Sequence, residues 1–429
     1  SYLFKLSIPI FFSNIAIPFA GLVDTGLMGH LDNERFLAAL SIATSTITMI
    51  FWSFGFLRMG TVGIVAQALG RKDYNEIIQT LTRNLILAFV IGLAIIFFKD
   101  SILFLIKYFF KTSEETFFLI NSYISIRILA APAELIIYVL AGLYLGLQKT
   151  RISSLMISIF CIGNAILSAV FVIQYDLEIF GTALGTVIAA YTTVIIFLIF
   201  SYFSLIKKLK STLTYKKIFN TKKIFQLFNI NFDIFIRTIF LTFSFLWVTY
   251  QGSKLGENYV AINAILMQFI LFASFFLDAY AFSTEAVVGY TIGRRAKNSF
   301  LKIVSNSFQL SIFSGLVISI IYLLTFEIII NELTNLDYLK FLTFNYIFWI
   351  VVIPPVASIC YQLDGIFIGA SQTAEMRNAM LISVIIFITS SDFLINNFGN
   401  HGLWLSLLFF MVLRSITLNY YFNRILKKF

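Results

Sequence analysis

The sequence predicts an all-α integral membrane protein with twelve transmembrane helices, arranged as two similar halves of six. Composition is the first reason, because 59% of the 429 residues are hydrophobic and only 12% are charged. Soluble globular domains carry roughly 25% charged residues. The mean hydropathy of +0.91 agrees with this assignment. The other two reasons are a series of long apolar segments and an internal repeat, which are taken in turn.

Twelve apolar segments follow one another along the chain, most of them near or above the ~20 residues that a helix needs to cross a bilayer. They lie at about 3–27, 36–69, 77–98, 120–147, 152–174, 180–206, 226–251, 259–292, 300–325, 341–370, 378–396 and 401–423. The second and eighth are too long for one perpendicular crossing, which predicts a tilt, a kink or an emergent end. The first segment carries Pro9, Pro18 and Asp24, so we interpret it as a retained span rather than a signal peptide.

The second half of the chain repeats the first half in constant register. A shift of 223 residues superimposes turn glycines, a helix proline and a loop Gly-Arg pair: Gly29 on Gly252, Gly70-Arg71 on Gly293-Arg294, Pro132 on Pro355, Gly142 on Gly365 and Gly146 on Gly369. Such repeats are common in secondary transporters, where the substrate site lies at the interface of the two halves. The alternative is an old duplication that serves packing alone.

Charge divides the chain and orients it. We predict an N-lobe at 1–206, a basic linker at 207–225 with seven lysines between Lys207 and Lys223, and a C-lobe at 226–429. Alternate connections are rich in Lys and Arg, and the positive-inside rule places these, with both termini, in the cytoplasm. The expected location is a bacterial-type inner membrane. The net charge of +10 is explained by lysines beside anionic headgroups, and nucleic-acid binding is not expected.

Neither a resident metal nor a disulfide is predicted. Cys161 and Cys360 are isolated in apolar segments, and His30 and His401 have no neighbours at ligand spacing. No HExxH or GxSxG pattern occurs, so an enzyme is not expected. A membrane-embedded enzyme that acts on lipids stays an alternative only if Asp278, Glu285 and Asp364 surround a metal.

Ionisable groups within spans are costly and therefore indicate function by default. In the first half, Asp24 lies six residues after Pro18, which removes a backbone donor and predicts a hinge. A carboxylate beyond a hinge can take up a proton as the helix bends. Asn164 and Ser168 share one helix face, and Thr182 and Thr186 share another, a pattern that packing alone also explains.

The second half carries different charges from the first. Asp278 and Glu285 share a helix face, and Asp364 follows Pro354-Pro355. Asp233 and Arg237 are four residues apart, and we expect them to form an intrahelical ion pair. The first half instead holds Arg58, Arg127 and Glu134. The two halves are thus alike in frame and different in charge, as expected if one of them binds the coupling ion.

At these residues the chain resembles the multidrug and toxic compound extrusion (MATE) transporters, in particular their DinF-like branch. The resemblance covers nearly the whole chain. It lies in LVDTGLMGHL at 22–31, ALGRKD at 68–73, GNAILSAVFV at 163–172, GTALGTVIA at 181–189, DIFIRT at 233–238, FLDAYAFSTEAVVGYTIG at 276–293 and LDGIFIGASQTAEMRNAMLIS at 363–383.

The resemblance implies a V-shaped bundle of two six-helix lobes that exports amphipathic organic compounds in exchange for protons or sodium ions. It implies that Asp24 is the principal protonation site, surrounded by Asn164 and Thr186. Many relatives have a second aspartate four residues after the asparagine, where this chain has Ser168. Asp24 would therefore carry the proton of the first lobe nearly alone.

The expected function is proton-coupled export of amphipathic, cationic small molecules by a monomer without a cofactor. Sodium coupling is one alternative. Another is flipping of a lipid-linked precursor, a function found in the wider superfamily. A flippase requires Arg58, Arg127, Arg237 and Arg414 to converge on a central cavity, whereas an exporter allows them to be distributed among ion pairs.

Overall fold

A computed structural model describes residues 2–31, 34–110, 112–206, 218–333 and 337–429. Nearly all of them are helical, and no strand occurs within these ranges. The predicted all-α class is therefore confirmed. The first half contains α1 (Tyr2–Gly29), α2 (Glu34–Ser53), α3 (Phe56–Gly70), α4 (Tyr74–Phe97), α5 (Lys99–Phe109), α6 (Glu114–Arg127), a 3₁₀ turn (Ile128–Ala130), α7 (Ala131–Gly146), α8 (Thr150–Ile173), α9 (Glu178–Ser201) and a π-helical turn (Tyr202–Ile206).

The second half contains α10 (Thr221–Leu255), α11 (Glu257–Gly293), α12 (Lys297–Leu333), α13 (Asp337–Phe344), α14 (Ile347–Gly369) and α15 (Thr373–Leu426). In the described ranges, eleven helical stretches are long and apolar enough to cross a membrane. The last of them, α15, has 54 residues, or about 81 Å at a rise of 1.5 Å per residue. That length exceeds one crossing, and α15 is interrupted at Gly399, whose backbone is not helical (φ 57°, ψ −136°). The break separates the predicted eleventh and twelfth spans.

Buried amide groups hold the break in α15. Asn400 and Asn263 of α11 exchange two side-chain hydrogen bonds of 2.8 and 3.0 Å, and Trp404 Nε1 donates to Asn263 Oδ1 at 2.9 Å. His401 accepts a hydrogen bond of 3.1 Å from Trp349 Nε1 of α14. Gly402 packs directly on the backbone of Leu394. These contacts fix the angle between the two arms of α15.

The described helices form two compact units. One, here called the N unit, is Phe12–Leu227, and the other, the C unit, combines Ser1–Phe11 with Phe228–Phe429. Helix α1 therefore contributes its first turns to the C unit, where Leu3 and Leu6 pack with Val287. Of the predicted linker, residues 207–217 lie outside the described residues, and the predicted lobe boundaries stay a prediction.

The internal repeat is present in the helix packing. In the N unit, Gly142 and Gly146 of α7 lie on the backbone oxygens of Arg58 and Val62 in α3. In the C unit, 223 residues later, Gly365 and Gly369 of α14 lie on those of Ala281 and Glu285 in α11. The pairs Gly92 with Pro132 and Gly315 with Pro355 repeat a third contact. Glycine is required at these crossings because a Cβ atom would overlap the facing backbone.

The turns that end these helices also repeat. Lys72 and Arg295 have φ values of 61° and 54°, and Gln148 and Ser371 have 60° and 51°. The residue after each donates its backbone N–H to the carbonyl five residues earlier, as Asp73 does to Ala68 at 2.9 Å and Ala296 does to Thr291 at 3.0 Å. The two halves therefore share backbone conformation as well as sequence register.

We expect Gly369→Ala to lower the melting temperature of the protein in detergent, because the new methyl group would overlap the carbonyl of Glu285. Overpacking of a close helix contact typically costs about 1–3 kcal/mol. Gly26→Ala is the matched control, since a methyl group there would have no neighbouring atom within 4 Å, and its melting temperature should not fall. Equal effects of the two substitutions would contradict the close crossing of α11 and α14.

Candidate functional site

A buried polar cluster lies between α8 and α9 in the N unit. The two helices form an antiparallel hairpin, and Gly185 of α9 allows them to approach closely. A Cβ atom at Gly185 would be 2.6 Å from the backbone nitrogen of Ser168 and 2.9 Å from its Oγ. This approach brings Thr186 of α9 against Asn164 of α8. The spacing of four residues within each helix places these polar groups on the facing surfaces.

Hydrogen bonds orient the amide group of Asn164. Thr186 Oγ1 donates to Asn164 Oδ1 at 2.8 Å, and Ser168 Oγ donates to the same oxygen at 3.1 Å. The amide oxygen thus already accepts two hydrogen bonds, which leaves the NH₂ group of Asn164 to donate elsewhere. Thr182 does not join these contacts, because its hydroxyl donates to Ile179 O within α9 at 2.8 Å.

The carboxyl group of Asp24 lies beside this cluster. Asp24 is 7% exposed and interacts with the side chains of Ser168 and Asn164. Its Oδ1 accepts no hydrogen bond from the described residues. A buried, incompletely solvated carboxylate is costly, so Asp24 is poised to take up a proton or a cation. The structure thus brings together the four residues predicted to form the coupling site, Asp24, Asn164, Ser168 and Thr186.

The predicted hinge lies in the same helix as Asp24. Helix α1 runs without interruption through Pro18. Proline has no N–H, so the carbonyl of Asn14 lacks its usual intrahelical donor at this point. The helix is therefore weaker here than elsewhere, and the role of Pro18 as a hinge stays a prediction.

A second carboxylate in the N unit was not among the predicted coupling residues. Glu134, in the first turn of α7, forms an ion pair of 2.5 Å with Arg127, the last residue of α6. Arg127 also interacts with Tyr123, lies 5.2 Å from the centre of the Phe51 ring, and acts electrostatically on Asp24. The presence of Arg127 and Glu134 within one apolar segment was a signal for this pair, but the 3₁₀ turn between them hides the pairing from helical periodicity.

The charges in the C unit pair differently from the prediction. Asp233 and Arg237 do not form the expected intrahelical pair. Asp233 instead accepts hydrogen bonds from Arg377 Nη1 at 2.6 Å and from Thr373 at 3.0 Å. Arg237 donates to Asp364. The prediction was wrong because α14 and α15 supply buried partners across helices, and these satisfy each charge more fully than a neighbour on the same helix surface.

Asp364 holds two arginines. Arg237 and Arg414 both donate from Nη2 to Asp364 Oδ2, Arg414 at 2.6 Å, and all three side chains are at most 10% exposed. Asp278 of α11 acts electrostatically on Cys360 and Tyr361 next to this triad. Glu285, two turns further along α11, is 1% exposed. In the described part of the chain, no group of three or more His, Cys, Asp or Glu side chains could hold a metal ion.

Two helical units with matching helix crossings, one of them with a buried carboxylate cluster, lead to the comparison with known families. The model of the MatE family matches residues 9–171 and 234–391, which is most of both halves. The chain belongs to the MatE family. It is therefore a multi-pass membrane transporter of the efflux type and not an enzyme.

Relatives of this MatE protein agree with the assignment over its whole length. It is 34% identical over 420 residues to the DNA damage-inducible protein F of Escherichia coli, covering 97% of this chain and 90% of the relative. It is 20% identical over 288 residues to the multidrug export protein MepA of Staphylococcus aureus, covering 66% and 62%. The bent form of the Vibrio cholerae MATE transporter VcmN has a TM-score of 0.87 at 17% identity, covering 99% and 96%.

Proposed function

We propose that this transporter exports amphipathic cationic compounds in exchange for protons, and that Asp24 is the coupling carboxylate. The observation that carries the proposal is the buried Asp24 side chain, whose Oδ1 has no hydrogen-bond partner among the described residues, beside the neutral side chains of Asn164 and Ser168. The multidrug export protein MepA among the relatives supports the substrate class.

The cluster suits both charge states of Asp24. When Asp24 is ionised, the NH₂ group of Asn164 is available to donate to it, because the amide oxygen is occupied by Thr186 and Ser168. When Asp24 is protonated, its new hydroxyl can donate to Ser168 Oγ, whose own hydrogen points to Asn164. Ser168 is thus an acceptor for the neutral acid and supplies no charge of its own.

Exchange follows from competition for one carboxylate. A proton and a cationic substrate each neutralise Asp24, so binding of one weakens binding of the other by the same factor. The membrane potential supplies ~2.3 kcal/mol per charge per 100 mV, so one proton drives modest accumulation. Bending of α1 near Pro18, six residues before Asp24, would change the surroundings of the carboxyl group and release the substrate.

The hydrogen bonds in the cluster favour a proton over sodium as the coupling ion. Sodium requires several oxygen ligands, and the amide oxygen of Asn164 already accepts two hydrogen bonds. The arginines disfavour a lipid flippase. Arg127 pairs with Glu134 in the N unit, and Arg237 and Arg414 pair with Asp364 in the C unit. Guanidinium groups neutralised in this way are poor ligands for a pyrophosphate headgroup.

We further propose that the protein is a monomer in a bacterial-type inner membrane with cytoplasmic termini. Basic residues support this orientation. Arg71, Lys149, Arg294 and Arg377 follow or precede helix ends on the side where the positive-inside rule expects them. Reaction of single cysteines introduced at Lys149 and Lys254 with a membrane-impermeant thiol reagent in intact cells would test the orientation. Labelling at 254 only is expected, and labelling at 149 only would reverse it.

Transport by proteoliposomes tests the proposed function. Purified protein would be reconstituted with a pH dye in the lumen, and tetraphenylphosphonium would be added under an imposed proton gradient, with and without sodium. We expect substrate-dependent dissipation of the proton gradient that does not depend on sodium. Dissipation that requires sodium would identify a sodium exporter. No response to any amphipathic cation, with transfer of a fluorescent lipid-linked pyrophosphate between leaflets, would identify a flippase.

A further inference from the structure

We propose that Arg127 is a positioning residue of the coupling site, which stabilises ionised Asp24 and is held in place for this purpose by Glu134. When Asp24 takes up a proton, Arg127 is neutralised by Glu134 alone. This inference rests on the proposed function of Asp24. It adds a second carboxylate, in α7, to a cluster whose other members are neutral.

The position of Arg127 is set by the break between α6 and α7. Helix α6 ends at Arg127, the 3₁₀ turn Ile128–Ala130 follows, and α7 begins at Ala131 with Pro132 in its first turn. Glu134 therefore projects from the start of α7 towards the end of α6, and the two side chains meet at 2.5 Å. The Phe51 ring of α2, at 5.2 Å from the guanidinium group, closes another side. Arg127 has little freedom to leave this location.

The charges around Arg127 point to Asp24 as its functional partner. Asp24 of α1 and Glu134 of α7 act electrostatically on Arg127, together with Tyr123 of its own helix. The other titratable groups nearby are Tyr138 of α7, which faces Arg127, Glu134 and Arg58 of α3, and Cys161 of α8, which faces Glu134. Arg127 is the cation that acts on Asp24, whereas Glu134 acts on it through Arg127.

The net charge of the three groups shows what the pair does. Asp24, Arg127 and Glu134 sum to −1 when Asp24 is ionised and to zero when it is protonated. An Arg127–Asp24 interaction without Glu134 would favour the ionised state so strongly that proton uptake would be hindered. Glu134 shares the guanidinium group and thereby keeps both states of Asp24 accessible. Ser168, which is neutral, cannot supply this balance.

The test is the pH dependence of substrate transport by the full-length protein in proteoliposomes. Arg127→Gln removes the cation near Asp24, so the pH midpoint of transport should move to higher pH by on the order of one unit. Arg127→Lys keeps the charge and should restore the midpoint of the wild type. Glu134→Gln leaves Arg127 to Asp24 alone and should move the midpoint to lower pH. Opposite shifts from the two neutral substitutions are not expected from loss of packing.

Control variants separate this inference from instability and from the proposed function. Lys107→Gln, in the exposed pair with Glu114, should keep the wild-type midpoint. If Arg127→Gln does not fold, the double variant Arg127→Gln/Glu134→Gln, which removes the buried pair together, should still move the midpoint to higher pH. Wild-type midpoints in all folded Arg127 and Glu134 variants, with an inactive Asp24→Asn, would overturn the role of Arg127 alone. A fully active Asp24→Asn would overturn the proposed function itself.

Discussion

Asp24→Asn should reduce proton-driven export by the reconstituted protein to the level of protein-free vesicles. Asparagine has nearly the size of aspartate and can hydrogen-bond to Ser168, so the helix packing of the N unit should persist. It carries no charge and cannot bind or release a proton, so a cationic substrate and a proton no longer compete for the site. The measurement is the initial rate of gradient dissipation on addition of tetraphenylphosphonium.

Two further variants check that the effect belongs to the carboxylate of Asp24. Asp24→Glu keeps the charge and should retain part of the activity. Asp100→Asn removes a carboxylate that is 90% exposed and should transport at the wild-type rate. An Asp24→Asn protein that transports at the wild-type rate would place the coupling carboxylate elsewhere, with the C unit carboxylates Asp278, Glu285 and Asp364 as the next candidates.

Asp364→Asn is expected to be the most destabilising single substitution of a charged residue in the C unit. It would leave Arg237 and Arg414 without their shared counter-ion, although the side chains of both are at most 8% exposed. Removing one partner of a buried ion pair costs about 3–5 kcal/mol. We expect a markedly lower melting temperature in detergent and a lower yield of folded protein.

The matched control for Asp364→Asn is Asp337→Asn, because the Asp337 side chain is 97% exposed and its ion pair with Lys340 lies at the surface. Such surface pairs contribute about 0–1 kcal/mol, so the melting temperature should stay close to that of the wild type. Equal melting temperatures for Asp364→Asn and the wild type would mean that Asp364 does not hold the two arginines in the folded protein.

Much of the fold was predictable because local sequence determines it. The apolar segments, the constant shift of 223 residues and the glycines at helix crossings all have direct structural counterparts. The kink expected in the second long segment occurs at Phe54 and Gly55, where the backbone makes hydrogen bonds over three residues instead of four. At the equivalent point of the eighth segment, Asp278 replaces Gly55 and α11 continues as one helix. Glycine is the poorer helix former of the two.

The polar cluster of the N unit was predictable for a similar reason. The four-residue spacings of Asn164 with Ser168 and of Thr182 with Thr186 place these groups on helix faces, and Gly185 permits the close approach of α8 and α9. That Thr186 bonds to Asn164 whereas Thr182 bonds within its own helix depends on the register of the two helices, which their separate sequences do not specify.

The ion pairs could not be predicted from spacing. Asp233 and Arg237 are four residues apart, yet each takes a partner from another helix, because partner choice among buried charges depends on which helices pack together. Arg127 and Glu134 are joined across a 3₁₀ turn, where helical periodicity does not apply. The assignment of Ser1–Phe11 to the C unit likewise has no local signal in the sequence of α1.

The central claim is that a proton and a substrate compete for Asp24, and proton release on substrate binding tests it most directly. Purified protein in weakly buffered detergent solution would be titrated with tetraphenylphosphonium while a pH indicator records proton release. At a pH where Asp24 is protonated, the wild type should release up to about one proton per cation bound, as reciprocal linkage requires, and Asp24→Asn should release none. Equal release by both proteins would contradict the claim.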